Sequence, residues 1–536
     1  MGERWILAVD LGNGGPKVGV VTQGGEIVAA AHRGVRLHVG LDGAATQDAR
    51  EWWVRLVEAV HDVLARSGAD PAALHAVGIT GQWASTVPVG ADGQPAGDVL
   101  LWADTRAGRH MRDVIGGPVS VQGYAPDKLL PWIRTTGGAP ATSGADPTGH
   151  SLLLQRDLRD VYERTVVLLE PLDYLGLRFT GRAAATPASM TASWLTDNRI
   201  GAPHGYVDNL VRRSRRDRDR LPELLPTGSV LGPLLPEVAE ELGVAGGVPV
   251  VCGVPDVHAA VVGSGAVEPF HAHLAISTTS WISSRVPFKK TDALHQMATM
   301  PGLDPAHPLV ANNQETGGAA LQWLREQVIA PHDGLLGGGS GIGADGAAPD
   351  AAPPSFEQLI SLAEDVPAGA EGVIFTPWLA GERTPVDDKN LRASFLNMSL
   401  RTDRAMLVRA VLEGVAYNNR WMLDRYEKFV GRPVTDLRVL GGGAQSDLWC
   451  QIIAGVFDRR VEQVLDARNA QLRGAALWAR MCLGEIRLED VPPMVPTARV
   501  FEPVAADREA YAEVYAVYRR LASQLKGIHR KLNAGR

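Results

Sequence analysis

The segment Ile6–Val21, ILAVDLGNGGPKVGVV, constrains this chain more than any other. An apolar run ends in Asp10, a glycine-rich turn comes next, and a second apolar run begins after Lys17. That order predicts strand, tight turn and strand. The turn sets a carboxylate beside backbone that can pack closely on a phosphate, because Gly12, Gly14 and Gly15 carry no side chains. Two other glycine loops fail on spacing. A dinucleotide fingerprint begun at Gly12 needs its third glycine where Lys17 stands, with a helix after it, and a Walker-type loop needs its second glycine at the same place. The residues after Lys17, VGVVTQGGEIVA, instead alternate as a further hairpin with Gly24-Gly25 at its turn. A hairpin that holds no ligand stays open on this segment alone.

A fainter echo lies at Leu274–Arg285, LAISTTSWISSR, two apolar stretches around small hydroxyl residues. Two related phosphate-facing hairpins far apart in one chain predict two similar lobes closing on a nucleotide. Pro-Val-Val-Cys-Gly-Val-Pro at 249–255 and Gly263–Pro269 look like joints, so we place the boundary between residues 1–264 and 265–536. Residues 331–354 are rich in Gly, Ala, Asp and Pro and read as a mobile surface insertion. Arg212–Arg220, RRSRRDRDR, mixes signs and reads as a solvated face. Apolar residues at 511, 514, 515, 518, 521 and 525 predict a packed final helix.

Composition narrows the partners. At 536 residues, 45% hydrophobic and 21% charged, the chain can build more than one core. A net charge of −7 argues against nucleic acid or an anionic membrane. The N-terminal apolar run is too short for a signal peptide, and no uninterrupted apolar run is long enough for a membrane span. Cys252, Cys450 and Cys482 lack metal-ligand spacing, as expected in a reducing, cytoplasmic setting.

Two further segments carry chemistry. Val248–Val251 reads as a buried strand that delivers Asp256 at its carboxyl end, ahead of HAAVVGSGA. A carboxylate there can take a proton from a hydroxyl, and its reference pKa of about 3.9 keeps it ionised unless burial raises it. A helix N-cap role is equally open. Leu437–Phe457 reads as strand, triple glycine and helix, where bare backbone at a helix N-terminus suits a base or a phosphate.

Together the segments resemble the FGGY carbohydrate kinases, and within them the pentulose (xylulokinase-like) branch. DLGNGGPK, GITGQW, LLWADTRAG, APDKLLPWIR, LEPLDYLGLRFTG, VPVVCGVPDVHAA, ISTTSW, TGGAALQWL, PWLAGERTP, RAVLEGVAYN, LGGGAQSDLW and RGAALWA come in one order from Asp10 to Ala479. The resemblance implies an α/β fold of two ribonuclease-H-like lobes, of the actin, hexokinase and sugar-kinase type, with ATP and Mg²⁺ in the interlobe cleft. It implies Asp10 as the Mg²⁺-linked carboxylate, acting through water, and Asp256 as the general base on a sugar hydroxyl. Gly12, Asn13 and Lys17 fall on the first phosphate hairpin, and Ser277, Thr278 and Thr279 on the second. Gly318 and Gly441, Gly442, Gly443 and Ala444 fall on nucleotide loops. Gln82, Trp83, Trp102, Asp104, Arg106, Asp256 and His258 fall toward the sugar, although the tryptophans and Arg106 equally suit core packing and a structural ion pair.

The chain also departs from that pattern. Asn13 and Gly14 stand where a hydroxyl pair is common, Ser277 where glycine is, and Gln445 where arginine is. Trp83-Ala84 replaces Met-His after the Gly-Gln pair, and Val257 replaces an asparagine. Asp256-Val257-His258-Ala259 is similar to the run of ribulokinase-like members. The expectation is therefore ATP-dependent phosphorylation of a small sugar, a ketopentose such as D-xylulose. The alternatives are a ribulokinase-like or other polyol kinase, or a degenerate kinase that senses a ligand. No nucleic acid or membrane partner is expected, and a homodimer is left open.

Overall fold

The computed structural model of the protein describes residues 4–121, 123–203, 205–330 and 353–533. Residues 331–352, most of the expected insertion, lie outside them. Two sheets organise the chain. The first runs Val230–Pro233, Pro249–Val251, Leu74–Gly81, Trp5–Gly12, Gly15–Thr22, Ile27–His32, with Val254–Pro255 also pairing Leu74–Gly81. The second runs Ser280–Ser283, Ala272–Ile276, Asp436–Leu440, Arg460–Val464, Thr497–Phe501. Each has an antiparallel hairpin, two parallel neighbours and an antiparallel last strand. This is the duplicated ribonuclease-H-like pattern that the two hairpins predicted.

Strand Trp5–Gly12 is buried on both faces, which is why it reads as an unbroken apolar run. Leu7, Val9 and Leu11 pack with Trp52, Trp53 and Leu56 of helix Ala49–Ser67. Ile6 and Ala8 face the other way, onto Val257 and Val261 of helix Asp256–Ser264 and Leu472 and Leu477 of helix Ala470–Cys482. The same two helices meet the second sheet, where Ala260 and Ala470 pack on Ala275 and Leu440. They thus form one layer shared by both sheets. Small residues allow it: a Cβ on Gly263 would lie 1.8 Å from the Ala470 carbonyl oxygen, and one on Gly474 would lie 1.9 Å from that of Ala259. Helix Ala470–Cys482 comes after the second sheet's hairpin in sequence yet covers the first sheet, so a boundary near Gly265, which we keep as a proposal, separates sheets rather than their covers.

The final helix spans Arg508–Asn533 and buries Tyr511, Tyr515, Tyr518 and Leu521, as its spacing predicted. The Arg212–Arg220 run is solvated over most of its length, as expected, with Arg212, Arg215, Asp217, Arg218 and Asp219 exposed, but not throughout. Arg216 is buried, Arg218 lies over the Tyr206 ring, and Arg220 lies over Tyr162 and donates to the Tyr162 and Thr165 carbonyls. Long side chains on a mixed-sign run can turn their stems into apolar surface, which sign alone does not reveal.

Gly263→Ala and Gly474→Ala should each lower the unfolding midpoint, by overpacking worth about 1–3 kcal/mol or more. Gly442→Ala, whose added methyl meets nothing within 4 Å, should leave it unchanged. Scanning calorimetry checks all three.

Candidate active site

Alternation along Trp5–Gly12 puts Asp10 on the face of Ile6 and Ala8, toward helix Asp256–Ser264. Register places Asp10 opposite Lys17, and Lys17 opposite His32. The Lys17 ammonium lies 3.7 Å from the Asp10 carboxylate and donates to the Arg468 carbonyl at 3.1 Å. On its other side, Asp10 is opposite Thr80, and Thr80 is opposite Val254, whose carbonyl accepts from the Thr80 hydroxyl at 2.7 Å. One strand therefore separates the strand of Asp10 from the short strand that leads into Asp256. Asp256 takes the first helical position with Pro255 as the cap residue, and its Oδ1 accepts the Val257 N–H at 2.8 Å. It does not cap the helix.

Burial, and then the charge of Asp10, push the Asp256 carboxyl up to about 7, against the pull of the Val257 N–H. The two carboxylates thus feel each other, and Asp256 is tuned near neutrality, where a base works best. Gln82 closes the group. It comes directly after the strand between the two acids, donates its N–H to the Leu11 carbonyl at 2.7 Å, and is buried with both side-chain amide atoms unpartnered. Buried polar atoms without partners mark a place where a ligand belongs.

The two hairpins meet through one turn. Residues Ala467–Asn469 receive Lys17 at Arg468 and the Gly441 N–H at the Ala467 carbonyl. Gly441, at φ 95°, in turn packs on the Ile276 carbonyl, at the foot of the second hairpin. Gly318 donates to the Ser277 carbonyl at 2.6 Å and Gly317 to that of Thr278 at 2.8 Å, while the Ser277 N–H donates to Thr279. The structure thus brings together Lys17, Ser277, Thr278, Thr279, Gly318 and Gly441. The glycines are not equivalent. A Cβ on Gly443 would strike Ile276, and Ala444 is buried, so only Gly442 faces open space. At the first hairpin Gly12 and Gly14 are open, whereas Gly15, at φ 121°, is required by the Arg33 carbonyl 2.1 Å from its would-be Cβ.

On the sugar side, Trp102 ties three pieces together. Its Nε1 donates to Asn13 Oδ1 at 2.9 Å and its N–H to Ser85 Oγ at 3.0 Å. Asp104 is fully buried and accepts from Arg106 through both oxygens, the shortest at 2.6 Å, and from the Ala45 N–H at 3.2 Å. That pair is a structural clamp, one of the two readings left open. Trp83 packs partly buried between the two apolar clusters of the first sheet. His258 bonds the Pro301 carbonyl through Nε2 at 2.8 Å, and burial lowers its pKa to about 4, so it is neutral. Sequence reasoning missed His32, whose ring lies beside Gly14 and which a register shift between Val20 and Val21 sets opposite Lys17. It also missed Glu170 and Arg216.

Among the described residues no group of three or more His, Cys, Asp or Glu could hold a metal. Mg²⁺ bound through water and phosphate oxygens needs no such group, and Asp10, held only at 3.7 Å by Lys17, fits that use. Among the described residues no helix is long and apolar enough to cross a membrane.

The N-terminal domain of the FGGY family of carbohydrate kinases matches residues 5–263 and its C-terminal domain matches residues 277–483. The xylulose kinase of Escherichia coli (strain K12) is 27% identical over 535 residues, which cover 97% of this chain and 99% of that protein. Two solved structures from Lactobacillus acidophilus are each 21% identical. Its xylulose kinase superposes with TM-score 0.80 over 99% of this chain and 100% of the other. Its gluconate kinase gives 0.79 over 99% of each.

Carboxyl-selective carbon NMR should find the Asp256 titration near about 7. In Asp10→Asn a like charge is gone, so the midpoint should fall toward the ordinary aspartate value. A midpoint near about 4 in the unaltered protein would contradict the shared site.

Proposed function

The chain belongs to the FGGY family of carbohydrate kinases and is an ATP-dependent sugar kinase, and we propose that its acceptor is a ketopentose such as D-xylulose. In this reading ATP lies between the hairpins, its phosphates on the open backbone of Gly12 and Gly14 and near Lys17 and Ser277–Thr279. Its adenine lies toward Gly442. Gln82 and Trp83 line the sugar site, and the Asp104–Arg106 pair braces the loop beside it. Asp256 accepts the proton of a terminal hydroxyl as that oxygen attacks the γ-phosphorus; the bond to the ADP oxygen breaks, and the protonated carboxyl later returns its proton to water. Mg²⁺, when bound near Asp10, neutralises charge on the phosphate oxygens.

The observation that carries this reading is the placement of Asp10 and Asp256 with one strand between theirs, beside the buried, unpartnered Gln82 amide; burial and the Asp10 charge also raise the Asp256 pKa to about 7, which suits a base. A ligand sensor would have no use for such a base. The ketopentose is supported by the full-length likeness to a xylulose kinase. Val257 offers no side-chain hydrogen bond to a sugar, and His258 is tied to Pro301 through Nε2 with its buried Nδ1 unpartnered, so side-chain recognition in this reading draws on Gln82 and that Nδ1.

Asp256→Asn should still bind ATP and sugar, measured by calorimetry, but lose transfer by about 10²–10⁴-fold or more. Near-normal turnover would remove Asp256 from its role. Coupled ADP release across D-xylulose, D-ribulose, glycerol and gluconate should rank D-xylulose first by kcat/KM. A different first rank overturns the sugar but not the kinase.

A further inference from the structure

Behind the sugar-side turn lies a buried polar cluster that the transfer reaction does not use. Ala84 has φ 62°, a left-handed conformation that a residue with a Cβ rarely adopts. Glu170, 2% exposed, accepts the Ser85 N–H through Oε2 at 3.1 Å, and the Ala84 N–H is directed at the same carboxyl group. Ser85 Oγ accepts the Trp102 N–H, and Thr86 Oγ1 meets His150 Nδ1 at 3.0 Å. Arg216, 5% exposed, faces Glu170 across a cavity with room for about one water. Its Nε and Nη1 have no partner, and neither has Glu170 Oε1.

We propose that Glu170 is a positioning residue for sugar recognition: its carboxyl group, backed by Arg216, holds the Trp83–Ser85 turn in its left-handed form and so aims Gln82 and Trp83 at the sugar. The proposal rests on the reading that those two residues line the sugar site. The carboxyl group takes the Ser85 N–H, and the Ala84 N–H beside it is directed at the same group. Without it, Ala84 relaxes toward ordinary backbone and the Gln82–Trp83 pair swings with it. The Ser85–Trp102 bond carries the same constraint to the loop of Asp104 and Arg106. Burial and the Asp173 charge push the Glu170 pKa well above the ordinary range, against the Ser85 and Ala84 N–H groups and Arg216. Glutamine keeps an acceptor oxygen for the Ser85 N–H and can therefore stand in for the carboxyl group.

The test compares steady-state kinetics of four variants. Glu170→Ala should raise the sugar KM at least tenfold with the ATP KM within twofold of normal. Glu170→Gln, which keeps an acceptor oxygen, should stay within threefold. Ala84→Gly added to Glu170→Ala should recover most of the loss, because glycine adopts positive φ without the clamp. An unchanged sugar KM in Glu170→Ala, an equal rise in both KM values, or no recovery by Ala84→Gly would overturn the proposal. Should Glu170→Ala fail to fold, a tenfold rise for Glu170→Gln overturns it and a value within threefold supports it. Trp83→Ala separates the premise: if it leaves the sugar KM unchanged, the assigned sugar site is wrong, whatever Glu170 does.

Discussion

The close crossing of helices Asp256–Ser264 and Ala470–Cys482 is the contact on which the rest of the molecule depends. At Gly263 and Gly474 each helix presses bare backbone on the other, at a distance no side chain permits. The crossing makes a single layer that serves both sheets. It also delivers two things to one place: the first turn of one helix brings Asp256, and the turn ahead of the other brings the Ala467 and Arg468 carbonyls that receive Gly441 and Lys17. Were the helices a side chain further apart, the hairpins would no longer share a turn and the two acids would no longer face each other.

The site built around this crossing is electrostatically incomplete by itself. Asp10 and Asp256 repel, Lys17 offsets Asp10 from 3.7 Å, and the Gln82 amide is buried without partners. The repulsion and the unpartnered amide each cost stability. A sugar hydroxyl beside Asp256, a hydrogen-bonding group on Gln82 and a cation near Asp10 would relieve both. This is the physical sense in which a site can be complementary to a reacting assembly rather than to itself.

Much of the arrangement was legible in the residues. The two glycine or hydroxyl turns between apolar runs identified both hairpins, whereas the pairing of Lys17 with His32 also depends on a register shift between Val20 and Val21. Asp256 could be placed at a strand end and a helix start from VPVVCGVPD. What stayed hidden depends on contacts distant in sequence. Gly441 and Gly443 look like open backbone until Ile276 is seen against them. Arg216 looks solvated within its charged run until the Glu170 side is seen facing it. Helix Ala470–Cys482 gives no sign in its own residues that it covers the sheet made by the first part of the chain, beyond an unexplained Gly474.

The near-equal superpositions on a xylulose kinase and a gluconate kinase show one shared fold, and a fold by itself does not choose the sugar. The acids, hairpins and helix crossing serve any acceptor hydroxyl, so discrimination must come from the few groups that meet the rest of the sugar. In the proposed reading those groups sit on a turn whose conformation its own residues do not favour: Ala84 adopts φ 62° where glycine would be at ease. A turn held by a buried carboxyl group can be re-aimed by changing what stands behind it, leaving the reacting groups untouched. A buried polar group left unpaired by the wrong sugar is costly enough to discriminate strongly, provided the turn holds still. On the proposed assignment of Gln82 to the sugar, rigidity at Ala84 is therefore the condition under which it could tell one sugar from another.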